Sequence, residues 1–441
     1  MACKGSAVRV RVAPPFQHMK KLLKSFMTRI LWWQVDRLRA KHQPKTIAVA
    51  GSVGKTSTKS AVAQLLTQKY RVAWQKGNYN DIFSIPLVFF MRPVPSLLNP
   101  FAWLVLCLKN ERMIRGRYDY DVVVLELGTD HAGDMRQLKG ILKIDYTLLT
   151  AITPEHMEGF ADLDDVAKDE LIATTLAELT ILDADSVPKE YVQQISDPVT
   201  ISTTAGDCVI KPSKLDKIGR EVTFEIHQDS IERFKIQSKT IGLQNVPALA
   251  FALLMGLEMG LSREQILHGL ESNEPFSGRM NLLQGKRGSL LIDDTYNSSP
   301  HALKAALDTL YELDIKQKIA VIGQMNEMGK FSEGYHREAG GWCDPKQLSL
   351  LVTLGEHANS FLAEEAEKHG CKVVRCSSPY QAADVVLPLL KKDTAVLLKG
   401  SQGGIFLEEA TRALLDNPED AQKLVRQSAH WMKVKQKVFS E

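Results

Sequence analysis

The stretch "KTIAVAGSVGKTSTKSAVAQLL", residues 45–66, limits what this chain can become more than any other part of it. A short apolar run, a turn with glycines at 51 and 54, and a run of small and apolar residues read as strand, loop and helix. Backbone N–H groups of such a loop cradle phosphates, and the helix N-terminus adds a favourable dipole. Gly51, Ser52, Val53, Gly54 and Ser57 would line that cradle. Lys55 would reach the β- and γ-phosphates, and Thr56 would offer its hydroxyl to Mg²⁺. Val49 stands where the strict pattern has its first glycine, so a plain glycine-rich strand–helix turn is the competing reading.

Further along, "DVVVLELG" and "DYTLLTAI" read as strands with helical segments around them, which implies a parallel sheet covered on both faces. Residues 200–240 alternate polar and apolar positions and predict an antiparallel excursion. A second α/β run begins at "SLLIDD" and continues through "KIAVIG", "LSLLVTLG", "CKVVRC" and "TAVLLKG". The expected fold class is therefore α/β. A central P-loop parallel-sheet ATPase domain spans residues 46–275, and a Rossmann-like domain spans 276–441. Glu126 falls at the C-terminal end of its strand, the sheet edge where open α/β folds hold ligands. His156 follows the next strand at the same edge. Lys168 lies twelve residues on, in a helical segment, and an i−4 ion pair with Asp164 is its ordinary explanation.

Residues 1–45 hold eleven Lys/Arg and one acid, Asp36, whereas the whole chain has a net charge of +3. This basic arm precedes an acidic body, a pattern that points to an anionic surface. Apolar residues at 19, 22, 23, 26, 27, 30 and 31, followed by Trp32 and Trp33, predict a helix from Met19, which we take as the natural start. Residues 1–18 resemble neither a signal peptide nor a folded element. The helix either lies on an anionic membrane through residues 19–38 or packs on the protein body. The six cysteines form no CxxC pair, so the usage suits a reducing cytoplasm rather than a disulfide framework or zinc site. No run of eighteen apolar residues predicts a transmembrane helix.

Eight segments occur in an order that resembles the Mur ligase family over roughly residues 44–415. They are "AGSVGKTSTK", "GNYNDIFSIPL", "VLELGTDHAGDM", "HMEGF…VAKDE", "FSGRMNLL", "IDDTYNSSPHALKAAL", "IAVIGQMNEMG…H" and "VLLKGSQG". The resemblance implies an ATP-dependent amide ligase working through an acyl phosphate. Its reaction would add D-alanyl-D-alanine to a UDP-muramyl-tripeptide-like precursor in peptidoglycan synthesis. It implies that Lys168 is carbamylated by CO₂ and that two Mg²⁺ ions are held by Thr56, Glu126, His156 and Lys168. It sets Asn80 near ATP and the acyl substrate. Lys55, Lys168, His156 and Asn80 form the catalytic group, while Asn245, Arg279, Asp294, Tyr296 and Asn297 join the loop in holding nucleotide. His336 and Lys399 to Ser401 fall where the family gathers phosphate and amine contacts.

The sequence departs from the family in several places. Ala50 replaces the usual threonine, Gln244 a histidine, Ala248 an asparagine near adenine, and Gln324 an aspartate, while Pro247 intrudes. The family's UDP-gripping N-terminal domain has no expected counterpart in residues 1–45. An amino-acid polymer ligase of the poly-γ-glutamate synthetase type, and a nucleotide-binding regulator without catalysis, are the alternative functions. The expected partner is a small peptide or nucleotide-sugar-peptide and not nucleic acid. We expect a monomer in the cytoplasm, at the inner face of the membrane if the basic helix meets lipid. Closure of the C-terminal domain predicts a hinge near 273–278.

Overall fold

The computed structural model describes residues 14–75, 79–129, 131–153, 160–227, 230–326 and 328–439. The N-terminal half begins with α1 (Pro14–His42), β1 (Lys45–Ala50), α2 (Lys55–Leu66), β2 (Val72–Ala73), α3 (Ile85–Phe89) and α4 (Pro100–Arg115). Then follow β3 (Val122–Glu126), β4 (Tyr146–Leu149), α5 (Leu163–Glu170), β5 (Leu179–Asp183), α6 (Lys189–Val192) and β6 (Val199–Ser202). The half ends with β7 (Cys208–Leu215), β8 (Arg220–His227), β9 (Ile231–Ser238), α7 (Pro247–Glu258) and α8 (Arg263–Glu271).

The nine strands form one sheet in the order β2-β3-β1-β4-β5-β6-β7-β8-β9. Neighbours from β2 to β7 are parallel, and β7, β8 and β9 are antiparallel. The expected antiparallel excursion is thus an extension of the same sheet. Successive side chains of a strand face opposite sides. Ile47, Val49 and Val124 meet Leu65, Leu249 and Phe251 on one face, while Ala48, Val123 and Leu125 meet Trp32, Val35 and Phe89 on the other. Burial on both faces explains the unbroken apolar runs of β1 and β3.

The N-terminal helix starts at Pro14, five residues before the expected Met19. Proline is tolerated in a first helical turn, where its missing N–H has no intrahelical role. Residues 14–42 are also no detached arm. Leu31, Trp32, Val35 and Leu38 are buried, and Trp32 Nε1 donates to the Ile82 carbonyl at 2.8 Å. The opposite stripe faces solvent, so the packed-helix reading describes one side of α1.

The C-terminal half contains β10 (Asn281–Gly285), β11 (Ser289–Asp294), α9 (Pro300–Glu312), β12 (Gln317–Gly323), α10 (Ser332–Gly341) and β13 (Leu348–Leu354). It continues through α11 (Ala363–Lys368), β14 (Val373–Cys376), α12 (Pro379–Val386), β15 (Thr394–Lys399), α13 (Glu408–Leu414) and α14 (Ala429–Phe439). Its sheet runs β10-β11-β15-β12-β13-β14, with β10 antiparallel to β11 and the rest parallel. The edge strand β10 was not among the expected elements. The two halves are tied by buried Arg220, whose guanidinium meets Glu312 of α9 at 2.8 and 2.5 Å while its Nε donates to the Ile241 carbonyl. Such a two-pronged pair fixes orientation as well as distance.

Candidate active site

The loop after β1 is held from three sides. Gly51 and Gly54 have φ of +120° and +86°, where a side chain is strained. A Cβ on Gly51 would stand 2.5 Å from Thr150 Oγ1. Thr150 donates its hydroxyl to the Val53 carbonyl at 2.6 Å, and the Ser52 N–H donates to the Ala151 carbonyl at 2.9 Å. Thr153 N–H donates to Ser52 Oγ at 3.0 Å. From α5, Glu170 accepts from the Gly51 N–H at 2.7 Å and from the Thr129 hydroxyl at 2.9 Å. Burial raises the pKa of this fully enclosed carboxyl.

Lys55 folds its ammonium onto the carbonyls of Gly51 and, at 2.8 Å, Ser52. No side chain caps α2. The first N–H groups of a helix lack intrahelical partners and favour an anion. The cradle therefore fits a phosphate group, with Lys55 in reach of it.

Beside the loop, Glu126 ends β3. Thr56 Oγ1 lies 3.2 and 3.3 Å from its two oxygens, and Lys59 Nζ lies 2.7 Å from Oε2 with both side chains buried. A hydroxyl and a carboxylate are hard oxygen donors that suit Mg²⁺. Among the described residues no group of three His, Cys, Asp or Glu side chains is placed to hold a metal. His156 falls outside the described residues. Lys168 is on the outer face of α5, 75% exposed, with Nζ 3.4 Å from Asp165. Its partner is thus at i−3, not Asp164, which instead accepts from the Tyr191 hydroxyl. Asn80 is half-buried, and its carbonyl accepts from the Gly128 N–H at 2.9 Å, which lays its loop along the edge just past Glu126.

A small cleft of about 10 Å³ lies between α2 and the segment joining the two halves. Ser57, Asn245, Ala248, Asn273 and Arg279 line it. Asn273 Nδ2 and Arg279 Nε, with Gln244 Oε1 nearby in sequence, are buried without a hydrogen-bond partner among the described residues. Buried polar atoms are nearly always satisfied, so these groups are ones that a bound water, ion or ligand would complete. Arg279 lies over the Tyr296 ring at 4.5 Å, and Phe276 meets that ring edge-on at 5.6 Å. Asn245, Arg279 and Tyr296 are thereby gathered toward Ser57 of the phosphate loop.

Other expected contacts turn inward. Asp294 pairs with buried Lys399 at 2.6 Å, and Lys399 also donates to the Asn297 carbonyl at 3.0 Å. Ser401 Oγ donates to Asn297 Oδ1 at 2.8 Å. Burial lowers the Lys399 pKa. His336 corrects the sequence expectation: it is fully buried and both ring nitrogens are engaged by backbone. Nε2 accepts from the Met325 N–H at 3.0 Å, and Nδ1 bonds the Ser332 carbonyl at 2.7 Å. Burial lowers its pKa, so the neutral ring holds α10 against the loop after β12. Gln324 bridges Asn326, at 2.8 Å, and the His357 N–H.

Four contributors escaped the sequence reading: Lys59, Glu170, Asn273 and Arg426. Lys59 is one helical turn past Lys55, a spacing that puts both on neighbouring positions of α2. Glu170 closes the quoted "VAKDE" segment. Arg426 donates to the carbonyls of Thr295 at 2.7 Å and Tyr296 at 3.2 Å while pairing with buried Glu408 at 3.0 Å. Only the folded chain shows that contact.

Two known domain families match the chain in order. The Mur ligase middle domain matches residues 49–256, and the Mur ligase glutamate ligase domain matches residues 278–402. The UDP-N-acetylmuramoyl-tripeptide–D-alanyl-D-alanine ligase of Bacillus subtilis (strain 168) is 26% identical over 383 residues, 85% of this chain and 76% of the relative. A solved MurF of Acinetobacter baumannii superposes with a TM-score of 0.70 at 21% identity, covering 90% of this chain and 81% of that one. The MurF ligase of Thermotoga maritima in complex with ADP superposes with a TM-score of 0.68 at 21% identity, covering 95% and 88%. With its middle and C-terminal domains both matched in order, the chain belongs to the Mur ligase family.

Proposed function

We propose that this chain is an ATP-dependent carbon–nitrogen ligase that joins D-alanyl-D-alanine to a UDP-muramyl-tripeptide-like acid in peptidoglycan synthesis. The reading is supported by a hydrogen-bonded phosphate cradle that adjoins a small cleft whose unpartnered polar atoms, on Asn273 and Arg279, belong to the segment joining the two halves. The Bacillus subtilis relative's name supplies the substrate class. The acid's carboxylate attacks the γ-phosphorus of ATP, forming an acyl phosphate and releasing ADP. The amine of the dipeptide then attacks the acyl carbon, and phosphate leaves with the former carboxylate oxygen.

In this reading the protein mainly positions groups and stabilises charge. Gly51, Ser52, Val53, Gly54 and Ser57 offer loop N–H groups to the phosphates. Lys55 leaves the loop carbonyls to meet them. Asn245, Arg279, Tyr296 and the loop of Asp294 and Asn297 hold the nucleoside side, and Asn80 lies toward the acyl substrate. The proposal includes two Mg²⁺ ions, which neutralise phosphate charge when bound. Thr56 and Glu126 would hold one. His156 and a carbamylated Lys168 would hold the other; carbamylation needs the neutral amine of Lys168, released from its ion pair with Asp165. We place the ligase in the cytoplasm as a monomer, with peripheral membrane contact through residues 19–38 supported by the exposed stripe of α1.

Phosphate release tests the reading. UDP-muramyl-tripeptide, D-Ala-D-Ala and ATP together should give phosphate, and omission of any one should stop it. Release with glutamate and not with the dipeptide would move the chain to the poly-γ-glutamate type. No release with either amine would return it to a nucleotide-binding regulator. In the same assay Lys168→Ala should lose most activity and recover part of it with short carboxylic acids. Lys168→Arg, which keeps positive charge, should remain inactive. An active Lys168→Arg enzyme would remove the carbamate from the account.

A further inference from the structure

The observation is a pair of helices with a shared outer face. α1 and α4 run parallel in contact. Gln34 Nε2 donates to the Cys107 carbonyl at 3.1 Å, Arg37 pairs with Glu111 at 2.6 Å, and Lys41 Nζ donates to the Arg115 carbonyl at 2.5 Å. Partners advance together along both helices, so the two lie side by side over this length. Their inner stripes are buried: Met27, Leu31 and Val35 on α1, and Trp103, Leu106 and Ile114 on α4.

The outer stripes are also apolar. Leu22, Phe26 and Trp33 of α1, and Phe101, Leu104 and Leu108 of α4, are each 55–73% exposed. Residues three, four, seven and eleven apart share one side of a helix. Both sets lie opposite the buried stripes, so they look the same way, away from the sheet. A contiguous group of exposed large apolar side chains is unusual on a soluble protein and marks an interaction surface.

Charge identifies the occupant. Exposed Lys21 and Arg29 lie beside the α1 stripe, and exposed Lys109, Arg112 and Arg115 follow the α4 stripe. Arg37 lies over the Trp33 ring at 4.5 Å and pairs with Glu111. A second copy of the chain would set this basic rim against itself, because an isologous contact apposes identical patches. An anionic lipid headgroup layer complements it, while Phe, Leu and Trp side chains enter the acyl boundary. No helix among the described residues is long and apolar enough to cross a membrane, so the contact lies in the plane of the surface.

We propose that α1 and α4 together form one docking face for an anionic bilayer, with α4 supplying half of its apolar anchor. This deepens, and rests on, the proposed membrane contact of residues 19–38. It also orients the site. Lys24 of α1 pairs with Asp81 at 3.1 Å and Trp32 bonds the Ile82 carbonyl, so the docked helix holds the loop that follows Asn80.

Co-sedimentation of the full chain with vesicles tests it. Phosphatidylcholine vesicles, and the same vesicles containing phosphatidylglycerol and cardiolipin, are the probes. Binding should require the anionic lipids and weaken at high salt. The variant Phe101→Ser/Leu104→Ser/Leu108→Ser keeps every basic residue and all of α1. It should bind at least tenfold more weakly, with unchanged ATP turnover showing that it folds. Normal binding by this variant, with loss in Leu22→Ser/Phe26→Ser/Trp33→Ser, would overturn the composite face and leave the α1 contact. No binding by the wild type would overturn both. A dimer in sedimentation velocity that the α4 variant abolishes, without vesicle binding, would assign the face to a second copy.

Discussion

Each half of the molecule carries a buried lysine–carboxylate pair at the C-terminal edge of its sheet, and the two differ in setting. Lys59 meets Glu126 at 2.7 Å and Lys399 meets Asp294 at 2.6 Å. In the C-terminal half both partners end adjacent strands, β15 and β11, and Lys399 also holds the Asn297 carbonyl. That pair closes a loop. In the N-terminal half the carboxylate ends a strand but the lysine comes from the helix behind the phosphate loop. The same carboxylate also meets the Thr56 hydroxyl. That pair stands where a divalent cation would compete with the ammonium. One architecture thus serves as a latch in one domain and, in the proposed reading, as a charge-exchange position in the other.

The largest expected effect comes from breaking the latch. Asp294→Ala leaves a fully buried ammonium without its carboxylate and should cost about 3–5 kcal/mol of stability. The double variant Asp294→Ala/Lys399→Met removes both charges and should recover most of that loss in denaturant melts. Failure of the second change to recover stability would mean the pair is not what closes the loop. Next, Lys59→Met should free Glu126 for a cation. The Mg²⁺ concentration giving half-maximal turnover should fall by about tenfold, equivalent to about 1.4 kcal/mol. An unchanged Mg²⁺ dependence would make the N-terminal pair a latch as well.

A pH-dependent effect concerns Asp293, which precedes the latch carboxylate. Burial, with Glu408 and Asp294 adding repulsion, pushes its pKa up to about 7. Its Oδ2 has no hydrogen-bond partner among the described residues. A carboxyl whose folded pKa is raised binds its proton more tightly in the native state. Its contribution therefore weakens stability as pH rises from about 4, the unfolded value, to about 7. Asp293→Asn should flatten this decline, measured as unfolding free energy at several pH values. An unaltered slope would show that Asp293 is ionised throughout.

These contrasts also show what was legible in the sequence. Gly51, Gly54, Lys55 and Thr56 are neighbours in the chain, so the loop geometry follows from local order. Strands β1 and β3 were visible because burial on both faces makes them continuously apolar. The edge strand β10 has a five-residue, half-polar sequence that periodicity does not separate from a turn. Lys59, Glu170 and Arg426 act through partners far away in the chain: Glu170 reaches Gly51 across 119 positions. No local pattern encodes such a meeting. His336 taught the reverse lesson, because its place in a motif suggested substrate contact while burial assigns both its nitrogens to backbone. The helix α1 was legible as amphipathic, but its outer face acquires a partner stripe only when α4 packs beside it.

The central claim is that the loop from Gly51 to Ser57 binds the phosphates of ATP during ligation. The most direct test is Lys55→Ala, assayed for phosphate release with UDP-muramyl-tripeptide and D-Ala-D-Ala while circular dichroism checks the fold. Lys55 hydrogen-bonds only loop carbonyls among the described residues, but its charge also offsets that of buried Glu170, which is why circular dichroism must accompany the assay. Turnover should fall roughly 100- to 1,000-fold, the loss typical of removing one charge-stabilising donor. A correctly folded Lys55→Ala protein with wild-type turnover would contradict the account.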